Sequence, residues 1–126
     1  MTGVQTCALP ISALDITTPA APAVAGVPLD CSPSWLTGID VGYYPDLDKT
    51  FAFVARTEAD GIVVADVTDV TAMKIVATLS DPTSFNQPSN VHKVGSILFT
   101  TAYGVPSGIT EVDVSNPYIQ IGRAHV

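Results

Sequence analysis

The chain has 126 residues, of which 12 are acidic and 5 are basic, and its formal net charge is −7. This acidity argues against nucleic acid as a partner, because phosphate backbones are bound by clusters of Lys and Arg. Apolar residues make up 47% of the chain and charged residues 13%. Disordered chains have the opposite balance, so we expect a packed fold, and no apolar run approaches the roughly 18 residues of a membrane-spanning helix.

The two ends have a common origin when they are read back into codons. Residues 121–126 can be written ATC GGA AGA GCA CAC GTC, and the reverse complement, shifted by one base, encodes residues 6–10 and the start of the next codon. This oligonucleotide resembles a common short-read sequencing adapter. We therefore expect residues 1–12 and 121–126 to be adapter-derived, and residues 13–120 to be an internal fragment from a metagenomic or transcriptomic read. Residues 13–120 then contain 4 basic and 12 acidic residues, because Arg123 falls in the adapter.

In chain order, short apolar runs rich in β-branched residues alternate with polar turns. The runs PAVAGV (22–27), LTGIDVG (36–42), KIVATL (74–79) and SNVHKVG (89–95) each predict a strand. The stretches 48–67 and 95–114 each predict a strand, a polar turn and a second strand, and the turn is one residue longer in the second copy.

An internal repeat organises these strands. Asp15, Asp66 and Asp113 each precede Ile or Val and then Thr or Ser, and they are 51 and 47 residues apart. Four short strands in each 40–50 residues are typical of a β-propeller blade. The predicted fold is therefore all-β, a β-propeller fragment with about two four-stranded antiparallel blades and part of a third.

The repeat motif resembles the LVIVD repeat. GITEVDVSNP (108–117) matches that pattern well, whereas GIVVADVTDV (61–70) departs from it at Val70, where Pro is usual. The resemblance implies a bacterial propeller that is extracellular, cell-surface or periplasmic. It also implies a scaffold whose partners are the remaining blades of a parent protein; a protein or a glycan is a further candidate partner.

Structural roles explain the repeated positions. Alternation along β-strand 61–66 predicts that Ile62 and Val64 face one neighbour while Val63 and Ala65 face another. The repeat aspartates are expected to accept hydrogen bonds from nearby backbone amides in Asx turns. Gly61 and Gly108 are expected to supply a positive φ at the hairpin tips.

Residues with other chemistry are few. Asp46 and Asp48 are weak metal candidates. A calcium loop would continue with further oxygen ligands, whereas Lys49 follows here, so we interpret the two aspartates as part of a solvated loop. Within 13–120, Cys31 and His92 are the only residues of their types, and both are interpreted as structural. The aromatic residues Trp35, Tyr43, Tyr44 and Phe85 could line a binding surface, but packing is the favoured interpretation.

The sequence identifies no catalytic residue, cofactor-binding residue or cofactor. The favoured function is a non-catalytic scaffold for protein or glycan interaction at the bacterial surface. The alternative is part of a propeller enzyme, a hydrolase or dehydrogenase, whose central-channel site lies mostly outside the fragment. Since blades cover one another, we also expect the chain on its own to be only marginally stable.

Overall fold

The computed structural model describes residues 10–31, 35–83, 85–104 and 107–125. Within these ranges the chain is all-β apart from one short 3-10 helix, Thr57–Ala59. The strands are β1 (Ile11–Asp15), β2 (Ala23–Leu29), β3 (Leu36–Tyr44), β4 (Lys49–Arg56), β5 (Gly61–Asp66), β6 (Lys74–Ser80), β7 (Pro88–Val94), β8 (Ile97–Ala102), β9 (Gly108–Asn116) and β10 (Ile119–His125). The predicted fold class, all-β, and the predicted strands are confirmed.

The described strands form three antiparallel sheets in which each strand pairs with its neighbour in sequence. We call them the N-terminal sheet (β1–β2), the central sheet (β3–β6) and the C-terminal sheet (β7–β10). Four residues separate the paired ends of β4 and β5, whereas five separate those of β8 and β9. The extra residue that the sequence predicts in the second copy is thus confirmed, and it lies in this turn.

The three sheets share one register at the repeat aspartates. In each, the aspartate pairs with the residue eight positions further along the chain: Asp15 with Ala23, Asp66 with Lys74, and Asp113 with Ile121. A one-residue slip would turn every side chain of a strand to the opposite face. The common register therefore places the three aspartates at equivalent positions of their hairpins.

The two inner strands of the central sheet, β4 and β5, are buried on both faces, as the alternation in β5 predicts. Ile62 and Val64 lie in the core shared with the C-terminal sheet, whereas Val63 and Ala65 lie in a second core shared with Ile11 of the N-terminal sheet. The first core also contains Phe51, Phe53, Ala55, Phe85, Val91, Leu98, Val112 and Val114. Apolar burial on two sides explains why β5 has no polar side chain before its terminal aspartate.

Polar contacts fix the C-terminal sheet against the central sheet. The Asp40 carboxylate accepts a hydrogen bond from the Lys93 amide at 2.6 Å, and the Thr57 hydroxyl donates to the Pro88 carbonyl at 2.8 Å. A Cβ on Gly38 would lie 2.8 Å from the Asn90 Cα, so this backbone approach requires glycine. These contacts hold β3 beside β7 in a single packing arrangement.

The predicted positive φ at Gly61 is wrong. The left-handed residue of this turn is Asp60, with a φ of 46°, and Gly61 already belongs to β5. Glycine is required at position 61 for another reason, because a Cβ there would lie 2.2 Å from the Leu79 carbonyl oxygen of β6. Gly108 likewise begins β9, where it pairs with Ala102, rather than forming the hairpin tip.

The stretches predicted to derive from an adapter lie partly outside the described residues, namely residues 1–9 and residue 126. β1 begins at Ile11, and the backbone of residues 121–125 continues β10 beside β9. The origin of both stretches stays a prediction, since strand pairing depends on the backbone and is compatible with many sequences.

Candidate functional site

The repeat aspartates form the predicted Asx turns. In each, Oδ1 accepts a hydrogen bond from the backbone amide two residues on: Thr17 to Asp15 at 2.8 Å, Thr68 to Asp66 at 3.0 Å and Ser115 to Asp113 at 2.9 Å. The bonds to Thr17 lower the pKa of the Asp15 carboxyl, since they favour its charged form. The structural interpretation of these carboxylates is confirmed.

Asp66 differs from the other two because it also binds a lysine. Its Oδ2 lies 2.8 Å from Lys49 Nζ, and the residue is 6% exposed. Burial raises the pKa of this carboxyl, but the bonds from Lys49 and Thr68 outweigh it and lower the pKa to about 2. The bond to Asp66 in turn raises the pKa of Lys49. This ion pair joins the start of β4 to the end of β5.

The structure separates the two weak metal candidates. Asp46 and Asp48 lie in the four-residue turn between β3 and β4, as predicted. Asp48 accepts a hydrogen bond from the Tyr43 hydroxyl at 2.7 Å, which raises the pKa of Tyr43, whereas Asp46 lines a cleft on the other side of Tyr44. Within the described ranges, no group of three or more His, Cys, Asp or Glu could hold a metal ion.

His92 and Cys31 lie far from each other in the fold. His92 is an exposed residue of β7 whose Nδ1 is 3.4 Å from Asp40 Oδ2. Cys31 is buried in the core between the N-terminal and central sheets, as predicted, and its thiol lies 3.8 Å from the Leu29 carbonyl. Burial raises the pKa of this thiol, although the charge of Arg56 opposes the effect. A raised pKa disfavours the nucleophilic thiolate.

The four aromatic candidates divide into two pairs. Phe85 is buried and Tyr44 is half-buried, in agreement with the packing interpretation. Trp35 and Tyr43 are 51% and 56% exposed, so they do not belong to the core of the described residues, and their packing against further blades stays a prediction. The strand alternation explains the difference between the tyrosines, because Tyr43 and Tyr44 are adjacent in β3 and point to opposite faces.

A cleft lies between the central and C-terminal sheets, at the turns that follow β3 and β9. We call it the rim cleft. It has a volume of about 340 Å³ and is lined by residues of the β3–β4 turn and the β9–β10 turn: Tyr44, Pro45, Asp46, Leu47, Ser115, Asn116, Pro117 and Tyr118. Sites of this kind are concave and mostly apolar, with a small number of polar groups that orient a ligand.

Aromatic contacts make the walls of the rim cleft rigid. The Tyr44 and Tyr118 rings both pack edge-on against Phe51, with centroid distances of 5.3 and 5.5 Å. The Tyr44 hydroxyl donates a hydrogen bond to the Val114 carbonyl across the two sheets. Burial, reinforced by the charge of Asp113, raises the pKa of Tyr44 to about 12. Edge-to-face aromatic pairs are favourable, so these side chains are held in place before a ligand binds.

The sequence could indicate only part of this site. Its β3–β4 side contains residues that the sequence singles out, whereas Tyr118 was missed. The signal for Tyr118 is weak, since it merely follows the repeat corner residue Pro117. The two sides are brought together by the packing of two sheets, and residues about 70 positions apart show no local pattern.

Comparison of the chain with family models, curated proteins and solved structures finds no match. The resemblance to the LVIVD repeat therefore stays a prediction. No helix in the part of the chain that the structure describes is long and apolar enough to cross a membrane.

Proposed function

We propose that this chain is a segment of a non-catalytic β-propeller of the LVIVD-repeat type, which serves as a scaffold for protein or glycan interaction at the bacterial surface. One observation supports this most: three successive hairpins have the same eight-residue register and the same Asx turn at the repeat aspartate. Radial repetition of such units is the defining property of propellers.

Equivalent positions support further packing at the outer face of the C-terminal sheet. Ile62 and Ile109 are both the second residue of their strand, after a glycine. Ile62 is 0% exposed under the neighbouring sheet, whereas Ile109 is 46% exposed. In a propeller the next blade would cover Ile109 as the C-terminal sheet covers Ile62, because blades stack face to face.

The other outer face has the same character. Leu14 and Val24 of the N-terminal sheet are 60% and 63% exposed, although they pair directly across β1 and β2. A two-stranded sheet has marginal stability by itself and needs further strands or a packing partner. Additional strands of the same repeat would extend this sheet, and a further blade would cover its exposed face.

A matched pair of substitutions tests this proposal. In the 126-residue chain, Ile62→Lys should prevent folding, because it buries an unpaired charge. In the same chain, Ile109→Lys should change the free energy of unfolding by less than about 0.5 kcal/mol, because substitutions at the surface usually have small effects. In a longer chain extended with its flanking genomic sequence, Ile109→Lys should destabilise strongly. Equal tolerance of Ile109→Lys in both chains would contradict a propeller.

The flanking sequence also distinguishes scaffold from enzyme. The proposal expects repeat aspartates at intervals of about 45 residues and about 4 to 8 units in total. Flanking DNA that encodes no further repeat would overturn it. His or carboxylate clusters at equivalent loops of several units would instead favour the propeller-enzyme alternative.

A further inference from the structure

We infer that the rim cleft binds the guanidinium group of an arginine side chain on a partner protein. This inference rests on the proposed function and deepens it, since it assigns protein rather than glycan recognition to one site. Three properties of its lining suit arginine: two aromatic residues, apolar residues beside them and one available carboxylate.

Asp46 is the group that selects a cation. Its side chain makes no hydrogen bond or ion pair with any residue that the structure describes, whereas the neighbouring Asp48 accepts a bond from Tyr43. A carboxylate can accept two parallel N–H bonds from a guanidinium, and this geometry is specific to arginine. A ligand that neutralises Asp46 would therefore gain both charge and orientation.

Two of the other polar atoms of the cleft are already engaged within the chain. The Ser115 hydroxyl donates to Asp113 at 2.7 Å, and Asn116 Oδ1 accepts the Tyr118 amide at 3.0 Å. A sugar displays several hydroxyls and would need a matching set of available partners, because polar groups that lose water without a replacement weaken binding. One available carboxylate between apolar walls instead fits a single cationic group.

The walls suit the rest of the arginine side chain. Tyr118 lines the cleft and is 41% exposed, and a planar guanidinium stacks on an aromatic ring better than lysine does. Pro45 and Leu47 offer apolar surface to the aliphatic stem. A volume of about 340 Å³ lies near the lower end for ligand sites and accommodates one side chain more readily than an oligosaccharide.

The overall charge of the chain favours a basic partner. Two lysines lie beside the cleft and both are engaged: Lys49 pairs with Asp66 and bonds the Tyr118 side chain, while Lys93 donates to the Gly95 carbonyl and lies 5.0 Å from the Tyr44 ring centroid. The chain as a whole has 12 acidic and 5 basic residues. Attraction of this kind mainly increases the association rate and selects partners by charge.

An NMR titration of the uniformly ¹⁵N-labelled 126-residue chain tests the inference. The probes are N-acetyl-arginine amide, the uncharged isostere N-acetyl-citrulline amide, and methyl glucoside. We expect saturable amide shifts at the non-proline residues of 44–48 and 115–118 with the arginine probe alone, with a dissociation constant on the order of 1 mM. Asp46→Asn should weaken this binding at least about tenfold, corresponding to the roughly 1.4 kcal/mol of a charged hydrogen bond.

Asp48→Asn is the matched control, because it removes the adjacent carboxylate, which faces Tyr43, and should leave the affinity unchanged. Equal binding of the citrulline probe, an unaltered affinity in Asp46→Asn, shifts at other residues or no binding would each overturn the inference. Shifts at the same residues with methyl glucoside alone would overturn it in favour of a glycan. These outcomes do not affect the test of the propeller itself, which depends on Ile109 and the flanking sequence.

Discussion

Replacing Asp66 by Asn should destabilise the chain through the loss of one charge. Asn keeps an Oδ1 acceptor for the Thr68 amide, so the Asx turn survives, but it cannot form the ion pair with Lys49. In the folded chain the pKa of Asp66 lies at about 2, compared with an ordinary value of 3.8. This difference corresponds to roughly 2 kcal/mol in the free energy of unfolding near neutral pH.

The sign of the pH dependence follows from the lowered pKa. Because the folded state holds the carboxylate in its charged form, the stabilisation is complete above about pH 4 and disappears as the pH falls towards about 2. The wild-type chain should therefore be more stable than Asp66→Asn near neutral pH, and the two should converge in acid.

Urea unfolding in sucrose, an osmolyte that strengthens burial and has no group that titrates in acid, measures this difference. Asp15→Asn is the control, since Asp15 forms the same turn on an exposed corner, and it should cause a smaller change. The reasoning is refuted if Asp66→Asn matches the wild type near neutral pH, or if its deficit persists unchanged at about pH 2.

Three further predictions concern the turns and the exposed faces. Gly61→Ala should cost more stability than Gly95→Ala in urea unfolding, because a Cβ on Gly61 meets the Leu79 carbonyl oxygen at 2.2 Å, whereas that on Gly95 meets nothing within 4 Å and suffers only from a φ of 58°. Equal costs would contradict the close approach. Asp48→Asn should lower the pKa of Tyr43 in an ultraviolet titration, since the hydrogen bond to Asp48 raises it; an unchanged value would count against that bond. Finally, the chain alone should unfold over a broad, low temperature range and bind apolar dyes, and a sharp cooperative transition from a soluble monomer would contradict this.

Local sequence patterns predicted most of the strands and their faces. The alternation in β5 correctly placed Ile62 and Val64 on one face of the strand and Val63 and Ala65 on the other, because side chains alternate between the two faces with a period of two residues. The Asx turn at Asp66 was equally predictable, since the acceptor and its amide donor are only two residues apart. Features of this kind depend on neighbours in the chain.

Features that depend on distant neighbours were not predictable in the same way. The glycine at position 61 was expected to adopt a left-handed conformation, but its real constraint comes from Leu79 in the next strand. The rim cleft likewise requires Tyr44 and Tyr118 to meet across two sheets. The sequence singled out Tyr44 and Asp46 on one side of the cleft, although packing and a solvated loop were their favoured interpretations, and the packing of the two sheets brings the other side to them.

The length of the first turn in each four-stranded sheet has a consequence for how recognition could diversify. Four residues connect β3 to β4, whereas only Gly95 and Ser96 connect β7 to β8. The short connection has no counterpart of Pro45, Asp46 and Leu47, which line the rim cleft. The surfaces of the two sheets therefore differ at this end, although their strands repeat. Insertions confined to a single connection can thus create an individual pocket while the shared skeleton stays intact.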